Sequence, residues 1–344
     1  MAINKRLIPR ASGLTLSEHY NVLSWTGDGT GSRNITGLSF QPDQVWMYRY
    51  FTNSTYHDRI ATWSILGNSS NGYPKHFEFW NADSPKDGSS SKLRSLLSNG
   101  IEVGSYFNSS GHTYFAVCWK HGGNSSNPDV NTDFQCSQTT YSGDGTYRNR
   151  DHDLGATESV AVHVKSISSS HQWTTRPAGV SATDFCTLTD GYGCYDYYWA
   201  WQDTGPSSNT FRVGAVDYVN ASGKDYFAWC TAQVAGFSSY GTYTGNGDAT
   251  TGPTITTGFQ PSFVICGTAK EGSNTHPFIC TNRHQSSNTG LNVTMADWHG
   301  RWMSSNATMD FLSTGFRVNS QYNTYNGNGD SYWYMAWADP DIVG

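Results

Sequence analysis

The sequence contains few charged residues, and this deficit narrows the possible functions. Only 14% of its 344 residues are Asp, Glu, Lys or Arg, whereas soluble domains usually carry about 25%. The net charge is −6 and no basic run occurs, so the electrostatic footprint of a nucleic-acid-binding protein is missing. No apolar run approaches the roughly 18 residues of a membrane span. We therefore expect neither nucleic acid nor a membrane as a partner.

The sequence also lacks the common signatures of catalysis and of bound cofactors. It has no Gly-x-Ser-x-Gly elbow, no His-Glu-x-x-His zinc motif, no phosphate-binding glycine loop and no Cys-x-x-Cys pair. Glutamate occurs at only five positions, and none recurs in a way that suggests a site. These absences predict a protein that is not an enzyme and binds no metal or cofactor. A glycan-cleaving pair of carboxylates stays open as an alternative, since any fold can bring two acids together.

What the sequence does contain is one pattern that occurs three times. Each copy opens with an aromatic residue and a glycine-rich turn and closes with Asn-x-x-Gly-x-x-Tyr-aromatic. The turns are Trp25–Gly29, Tyr141–Gly145 and Tyr243–Gly247, and the closing tyrosines are Tyr114, Tyr226 and Tyr332. The turns lie 116 and 102 residues apart and the tyrosines 112 and 106. A period of this length indicates tandem domains rather than a solenoid.

The two markers divide the chain into an arm and three repeats. Residues 1–20 form a polar N-terminal arm, for which docking and disorder are both open. Repeats one, two and three cover 21–125, 133–235 and 237–339, and repeat two is the most divergent. Residues 121–129 are rich in turn formers and predict a linker.

Within each repeat, strand patterns dominate. Short segments rich in β-branched and aromatic residues are bounded by Gly, Asn, Ser or Pro, as in 44–51, 159–164, 262–266 and 332–337. The segment 91–98 is the one plausible helix. The paired-glycine turns fit hairpins that need a positive φ angle. The predicted fold class is all-β, with three tandem β-sandwich modules of the jelly-roll or concanavalin-like kind.

Seven cysteines, an odd number, argue against a complete disulfide framework. Cys118 and Cys230 follow the closing tyrosine at the same position, where repeat three has Ala336. An exchange of Cys for Ala predicts a small buried side chain. Cys186 and Cys194 lie close enough in sequence to bridge, and the sequence leaves open whether they are paired.

The frame of the repeat resembles a module of tailed-bacteriophage virion proteins, especially those of marine phages. In repeat three it runs through Tyr243–Gly247, Gly258–Val264, Phe311–Phe316 and Gly329–Ala336. Repeat one carries it in Trp25–Gly29, Leu38–Val45 and Asn99–Val103, and repeat two departs from it at Leu154–Ala156. The resemblance covers 21–339 and implies a place on the virus particle, on tail, head fibre or capsid, without implying any chemistry.

Two sets of residues are candidates for contact with a glycan or a neighbouring subunit. A histidine follows an early strand valine by 12, 11 and 12 residues in the three repeats, and an arginine follows each histidine. These pairs are His57 and Arg59, His171 and Arg176, and His276 and Arg283. The alternative role is structural, with the histidine ending a strand or capping a turn.

Aromatic clusters are the second set, because exposed Trp and Tyr rings make rigid contact surfaces for sugars. Residues 192–201 form one cluster, in which strand alternation predicts that half of the rings are buried. Trp298 and Trp302 are surrounded by polar residues and are therefore predicted to be exposed.

Together, these features predict a structural virion protein that is displayed on the particle surface, either as an appendage or as a capsid decoration or fibre protein. Its predicted role is particle assembly or stabilisation, together with attachment to the host surface. The alternative is a receptor-binding adhesin that recognises cell-surface polysaccharide. We expect a homo-oligomer, with a trimer as the expected state, that contacts other capsid or tail proteins and a host surface glycan. It would assemble in the host cytoplasm and be exposed on the virion.

Overall fold

The chain is described by a computed structural model that covers most of the sequence. It describes residues 15–50, 59–78, 88–123, 126–156, 158, 160–181, 183–188, 193–270, 276–283, 287–295 and 307–342. Within these residues, antiparallel β-strands dominate, as the sequence predicts. Short 3-10 turns occur at Leu16–Glu18, Ser64–Leu66 and Ser105–Asn108, and one four-residue helix, α1, at Tyr198–Trp201.

The strands follow the three sequence repeats. In repeat one they are β1 (Tyr20–Thr26), β2 (Ser32–Thr36), β3 (Gln44–Tyr50), β4 (Arg59–Trp63), β5 (Phe77–Glu78), β6 (Leu93–Leu97), β7 (Gly100–Gly104) and β8 (Thr113–Trp119). Next come β9 (Asp129–Asn131), β10 (Cys136–Ser142), β11 (Arg148–Asp151), β12 (Val160–Ser166), β13 (Thr174–Arg176), β14 (Asp184–Thr187), β15 (Cys194–Asp196), β16 (Thr210–Val213) and β17 (Asp225–Ala232). Repeat three has β18 (Ser238–Thr244), β19 (Thr254–Thr256), β20 (Pro261–Thr268), β21 (Phe278–Thr281), β22 (Leu291–Asn292), β23 (Thr294–Met295), β24 (Ala307–Leu312), β25 (Gly315–Ser320) and β26 (Ser331–Ala338).

Each repeat contributes one larger and one smaller sheet. The larger sheets have the strand orders β1-β8-β3-β4-β5, β15-β14-β13-β12-β17-β10-β9 and β18-β26-β20-β21-β23. The smaller sheets have the orders β2-β7-β6, β11-β16 and β19-β25-β24-β22. In every larger sheet the last strand of the repeat lies at an equivalent place: β8 between β1 and β3, β17 between β10 and β12, and β26 between β18 and β20. The three larger sheets are therefore topologically equivalent at their centres.

The strand β6 corrects one sequence prediction. Residues 91–98 were expected to form a helix, because leucine, lysine and arginine favour helices. Instead, Leu93–Leu97 pair with β7 in an antiparallel hairpin whose last partners are Leu97 and Gly100. Leu93 is buried in the core between the sheets of repeat one and Leu96 packs against that core, so hairpin pairing and burial override the local helix preference.

The inner faces of the two sheets of a repeat share one hydrophobic core. In repeat one, Met47 and Cys118 of the larger sheet belong to the same buried cluster as Ile35 and Val103 of the smaller sheet. Cys118, Cys230 and Ala336 are all fully buried, and they lie opposite Val45, Val162 and Val264. This confirms the prediction of a small buried side chain at that position.

The outer faces of the larger sheets meet in a second core that joins the repeats. Trp46 of repeat one lies 5.3 Å from Trp229 of repeat two and 6.2 Å from Phe263 of repeat three, measured between ring centroids. Trp119 of repeat one lies 5.5 Å from Trp337 of repeat three. We call this cluster the central aromatic core. Because both faces of β8, β17 and β26 are buried, these strands read as nearly continuous apolar runs rather than alternating ones.

The glycine-rich turns do not form hairpins, in contrast to the sequence prediction. In each repeat the turn leads from a strand of the larger sheet to a strand of the smaller sheet, as from β10 to β11. Gly145 has a φ of 69°, a left-handed conformation that favours glycine. A Cβ atom on Gly143 would lie 2.1 Å from the carbonyl oxygen of Ala221. The two glycines are thus required by backbone conformation and by close approach.

The partner of each turn is the asparagine of the closing motif. In repeat two the fully buried Asn220 donates to the carboxylate of Asp144 at 2.9 Å and to the carbonyl of Thr146 at 2.6 Å. Its backbone carbonyl accepts the N–H of Gly145 at 2.8 Å. The hydroxyl of Tyr226 accepts the N–H of Ala221 at 2.9 Å. Asn108 and Asn326 bond Asp28 and Asn246 in the same way. We call this arrangement the asparagine clasp.

The ends of repeat one are packed against the other repeats. Of the predicted arm, residues 15–20 are described, and Leu16 and Tyr20 are buried. The hydroxyl of Tyr20 lies 2.9 Å from that of Ser262 in repeat three. In the predicted linker, His121 is buried and Asn127 donates to the carbonyl of Thr140 on β10 at 2.7 Å. The described part of this segment is therefore held by its neighbours.

Repeat two carries a disulfide bond between Cys186 of β14 and Cys194 of β15. The two cysteines lie directly opposite one another in the paired strands. The N–H of Cys194 also donates to the carbonyl of Lys270 in repeat three at 3.2 Å. The bridge thus closes a hairpin that contacts the neighbouring repeat.

Candidate functional site

Three aromatic side chains of repeat two are exposed and lie together. Trp199 is 52% exposed, Tyr198 is 45% exposed and Tyr147 is 40% exposed. The rings of Tyr147 and Trp199 are inclined by only 23° with centroids 6.5 Å apart, and those of Tyr198 and Trp199 lie 5.5 Å apart. We call these three residues the aromatic surface. Single exposed aromatics are common, but adjacent exposed rings indicate a contact surface.

The aromatic surface exists because α1 takes the place of a strand. In repeats one and three, β6 and β24 precede β7 and β25 and pair with them. In repeat two the described chain that precedes the equivalent strand β16 forms α1, and the smaller sheet has two strands. The buried Trp201 anchors the helix in the core. The exposed rings thus stand on a fixed element.

A glycine allows this helix to approach the sheet. A Cβ atom on Gly214 would lie 1.7 Å from the carbonyl oxygen of Trp199, and the N–H of Gly214 donates to the carbonyl of Ala200 at 2.7 Å. Any larger residue at 214 would therefore push α1 away from β16. The orientation of Trp199 depends on this contact.

Polar side chains border the aromatic surface. Gln202 follows α1, and its amide nitrogen lies 3.4 Å from the hydroxyl of Tyr198. The guanidinium of Arg212 on β16 donates to the side-chain oxygen of Gln202 at 2.7 Å and to that of Asn149 on β11 at 3.5 Å. Rings beside fixed amide and guanidinium groups can stack on a sugar and hydrogen-bond its substituents.

Sequence reasoning identified part of this surface. The cluster 192–201 was predicted to be half buried, and Trp201 is buried while Tyr198 and Trp199 are exposed. Tyr147 was not identified. A signal for it was present, because the equivalent positions of the other two repeats hold Gly31 and Ala249. A large aromatic at a turn position that is otherwise small marks a difference specific to repeat two.

Of the predicted histidine and arginine residues, those that the structure describes do not have equivalent surroundings. His171 lies between β12 and β13, with its ring 5.2 Å from that of Tyr218, and burial lowers its pKa. Arg176 ends β13, and burial lowers its pKa while Asp184 opposes that shift. The strand register aligns Val162, not Val160, with Val45 and Val264. The regular spacing used to predict the set is therefore absent from repeat two.

In repeat three, the predicted histidine and arginine lie on either side of β21. Arg283 follows β21 and forms ion pairs with Asp339 at 2.6 Å and with Asp341 at 2.8 Å, so its charge is used to hold the end of the repeat. His276 lies in the loop before β21 and is partly exposed. His57, Trp298 and Trp302 lie outside the described residues, and so does the side chain of Arg59.

A concave region, separate from the aromatic surface, lies between repeats one and two. This cleft of about 780 Å³ is lined by Gln41, Asp43, Ser64, Ile65, Lys120, Gly123, Ser126, Asn127 and Thr140. Burial raises the pKa of Asp43, and the carboxylate of Asp129 adds to that shift. The Asp43 carboxylate accepts the N–H of His121 at 2.9 Å, and Gln138 links Ser64 to Asp129 at 2.8 Å each. The Gln138–Ser64 hydrogen bond therefore crosses the junction of the two repeats, and Asp43 and Asp129 bond residues on either side of it.

No three His, Cys, Asp or Glu side chains in the described ranges lie close enough together to hold a metal ion. The described helices are also all too short to cross a lipid bilayer.

Comparison with protein families shows which family the chain belongs to. The model of a domain of unknown function, DUF7483, matches residues 15–340. This match covers nearly the whole chain, and the chain therefore belongs to the DUF7483 family. Comparison with curated proteins gave no match. The matched region includes all three repeats, and therefore the strands of all the sheets that surround the central aromatic core.

Proposed function

We propose that this chain is a structural protein of a tailed-bacteriophage particle, displayed on the particle surface as an appendage, a fibre protein or a capsid decoration. Its role is to assemble or stabilise the particle, and repeat two adds a surface for attachment to the host. The resemblance of 21–339 to a repeated module of phage virion proteins supports this proposal. The family match is compatible with it and does not specify a function.

We further propose that each repeat is a β-sandwich module of the jelly-roll or concanavalin-like kind. The support is that two antiparallel sheets in repeat one share a buried core, and that repeats two and three have the same pair of sheets. The pairing of the first strand with the last, as in β1 with β8, closes each larger sheet in the same way.

The observation that carries the proposal is the central aromatic core. Trp46, Trp229 and Phe263 come from three different repeats, and Trp46 contacts both of the others across it. Three copies of one scaffold are thereby packed into one body around a shared buried core. Such a body suits a protein that presents surfaces on a particle, where rigidity limits the entropy lost on binding.

The experiment is to locate and count the chain on purified particles. We expect quantitative mass spectrometry to find it at a fixed copy number per particle, in the hundreds for a decoration and at tens or fewer for a fibre. Antibodies against the purified chain should label intact particles in electron micrographs. Recovery of the chain only from the soluble lysate, with particles free of it, would refute the proposal.

Partners and assembly state are part of the same proposal. We expect contacts with other capsid or tail proteins and a homo-oligomer, with a trimer as the expected state, on a virion assembled in the host cytoplasm. Light scattering of the purified chain measures its mass directly. Three copies per assembly is the expected result, and a monomer would contradict this part of the proposal alone.

A second candidate function is that of a receptor-binding adhesin for cell-surface polysaccharide. The aromatic surface favours it, because Tyr147, Tyr198 and Trp199 are adjacent, exposed and fixed by the scaffold. Tyr147 and α1 are features in which repeat two differs from the other repeats, and a purely structural role for all three repeats does not require this difference.

Competition for adsorption tests the adhesin. The purified full-length chain should block adsorption of the phage to its host, and Trp199→Ala should weaken the block by roughly three- to tenfold, the loss expected for one stacking contact. Tyr322→Ala is the matched control, since Tyr322 is 43% exposed in repeat three. Equal blocking by both variants would exclude the aromatic surface from attachment.

A further inference from the structure

The guanidinium of Arg212 is fixed in position but is not neutralised. Several other arginines of the smaller sheets pair with acids, as Arg94 does with Glu102 at 2.8 Å and Arg148 with Asp144 at 2.6 Å. Among the residues that the structure describes, no carboxylate forms an ion pair with Arg212. Its partners are the neutral amide oxygens of Gln202 and Asn149.

This arrangement leaves Arg212 ready for an external anion. Amide oxygens orient the guanidinium plane without cancelling its charge, and a guanidinium has five N–H donors, of which these contacts use two. The planar fork matches the two oxygens of a carboxylate or a sulfate. Because the chain as a whole carries a charge of −6, an anion would be attracted by this local cation and not by the net charge.

Arg212 is continuous with the aromatic surface. Arg212 and Asn149 are direct partners in the β11–β16 pair, and Asn149 is two residues from Tyr147, which immediately precedes β11. Gln202 connects Arg212 to Tyr198 through hydrogen bonds at both ends of its amide. The exposed rings and the unpaired cation therefore belong to one surface.

The other repeats do not combine an arginine at the position of Arg212 with an aromatic residue at the position of Tyr147. Opposite Asn34, Asn149 and Thr254 lie Glu102, Arg212 and Arg317. Repeat one thus has an acid where repeat two has the arginine. Repeat three has an arginine that donates to the hydroxyl of Thr254 at 3.3 Å, but Ala249 stands where repeat two has Tyr147.

We propose that the surface formed by Tyr147, Tyr198, Trp199 and Arg212 binds an acidic polysaccharide. A sugar ring stacks on the aromatic side chains, and the uronate carboxylate or sulfate ester of that sugar or its neighbour is bound by Arg212. This inference rests on the adhesin function proposed above and specifies the chemical class of its ligand. Asp151 and Asp203 are exposed and close in sequence to Asn149 and Gln202, and neither of these two described residues forms an ion pair with Arg212.

The test uses the full-length chain and three soluble polymers: alginate, dextran sulfate and neutral dextran. Affinity electrophoresis or calorimetry should show binding to alginate and dextran sulfate at least tenfold tighter than to dextran, and added salt should weaken it. Arg212→Gln should reduce binding to the acidic polymers by about tenfold or more, the range for a lost charge-assisted hydrogen bond. Arg317→Gln is the matched control and should bind as the wild type does.

The outcomes separate this inference from the adhesin function. If Trp199→Ala loses binding while Arg212→Gln does not, or if dextran binds as tightly as alginate, the surface binds glycan without a preference for acids and the inference is wrong. If none of the three polymers binds, the inference fails, and the adsorption assay decides the adhesin function independently. Circular dichroism of each variant, with a melting temperature within a few degrees of the wild type, shows that folding is intact.

Discussion

The rings of Trp229 and Trp337 lie nearly parallel, inclined by 19° with their centroids 6.4 Å apart, although the two residues belong to different repeats. Each also contacts Trp119 of repeat one, at 6.1 Å and 5.5 Å. The outer face of each larger sheet is therefore completed by the other two repeats. A repeat separated from its neighbours would expose several large aromatic side chains at once.

We predict that the three repeats unfold together. Trp229→Ala removes one of the largest buried side chains of the central aromatic core and should lower the free energy of unfolding by about 3–5 kcal/mol. Urea unfolding followed by tryptophan fluorescence and by far-UV circular dichroism should give one coincident transition for both proteins. Separate transitions for different repeats, with only one of them shifted by the substitution, would contradict a shared core.

The asparagine clasp predicts unequal effects for two neighbouring asparagines. Asn326 is fully buried and donates to Asn246 and Ser320 at 2.9 Å and 2.8 Å, whereas Asn328 is exposed. Asn326→Ala leaves buried polar groups without partners and should cost about 1–3 kcal/mol. Asn328→Ala should change stability by less than about 0.5 kcal/mol. Thermal melts of the two variants measure the difference, and equal effects would refute a role for the clasp.

Because it contains buried histidines, we expect the folded protein to lose stability in mild acid. His163 stacks on Trp229 at 4.5 Å, and burial lowers its pKa to about 3. Its pKa in the unfolded chain is about 6.5. Between these values the unfolded chain binds a proton that the native chain does not, so stability falls as the pH decreases below 6.5. The slope is about 1.4 kcal/mol per pH unit for each such histidine.

A variant isolates this contribution. His163→Gln removes the titrating group, so its unfolding free energy should fall by roughly 2 kcal/mol less than that of the wild type between pH 6.5 and 5. Urea unfolding at pH 8, 6.5 and 5 measures the slopes, and the values at pH 8 give the pH-independent cost of the substitution. Parallel pH profiles would show that His163 is not held neutral in the native state.

Thiol counting tests the disulfide. The five other cysteines are free and buried, so the native protein should not react with a thiol reagent. Unfolding without reductant should release five thiols, and unfolding with reductant should release all seven cysteines. Replacing Cys186 and Cys194 together by Ala should cost about 2–3 kcal/mol for a loop of this length. Seven reactive thiols without reductant would show that the bridge is absent.

Much of the fold was predictable from local patterns. The strands predicted at 44–51 and 262–266 and the burial of Cys118 depend on residues close in sequence. The structure confirms the strands over Gln44–Tyr50 and within Pro261–Thr268, and the burial of Cys118. The central aromatic core was not predictable in this way. The alternation along β8 places Val117 and Trp119 on the outer face, and a single sequence does not say what covers that face.

The candidate site was predictable only in part, for a related reason. Tyr198 and Trp199 lie in a cluster with evident aromatic content, but their exposure results from a helix that replaces a strand. Tyr147 is distant in sequence and reaches the same surface because β11 pairs with β16. The role of Arg212 depends on which side chains face it, and that information comes from tertiary structure alone.

The replacement of a strand by α1 in repeat two has a consequence for protein engineering. The strands that build the central aromatic core are the same in all three repeats, so the outer edge of the smaller sheet tolerates a change of secondary structure without disturbing them. In repeat one the corresponding edge strand is β6, whereas β24 of repeat three is paired on both sides. The edge at β6 is therefore a suitable location for grafting a foreign peptide, so that repeats one and two could carry two different ligands on one scaffold.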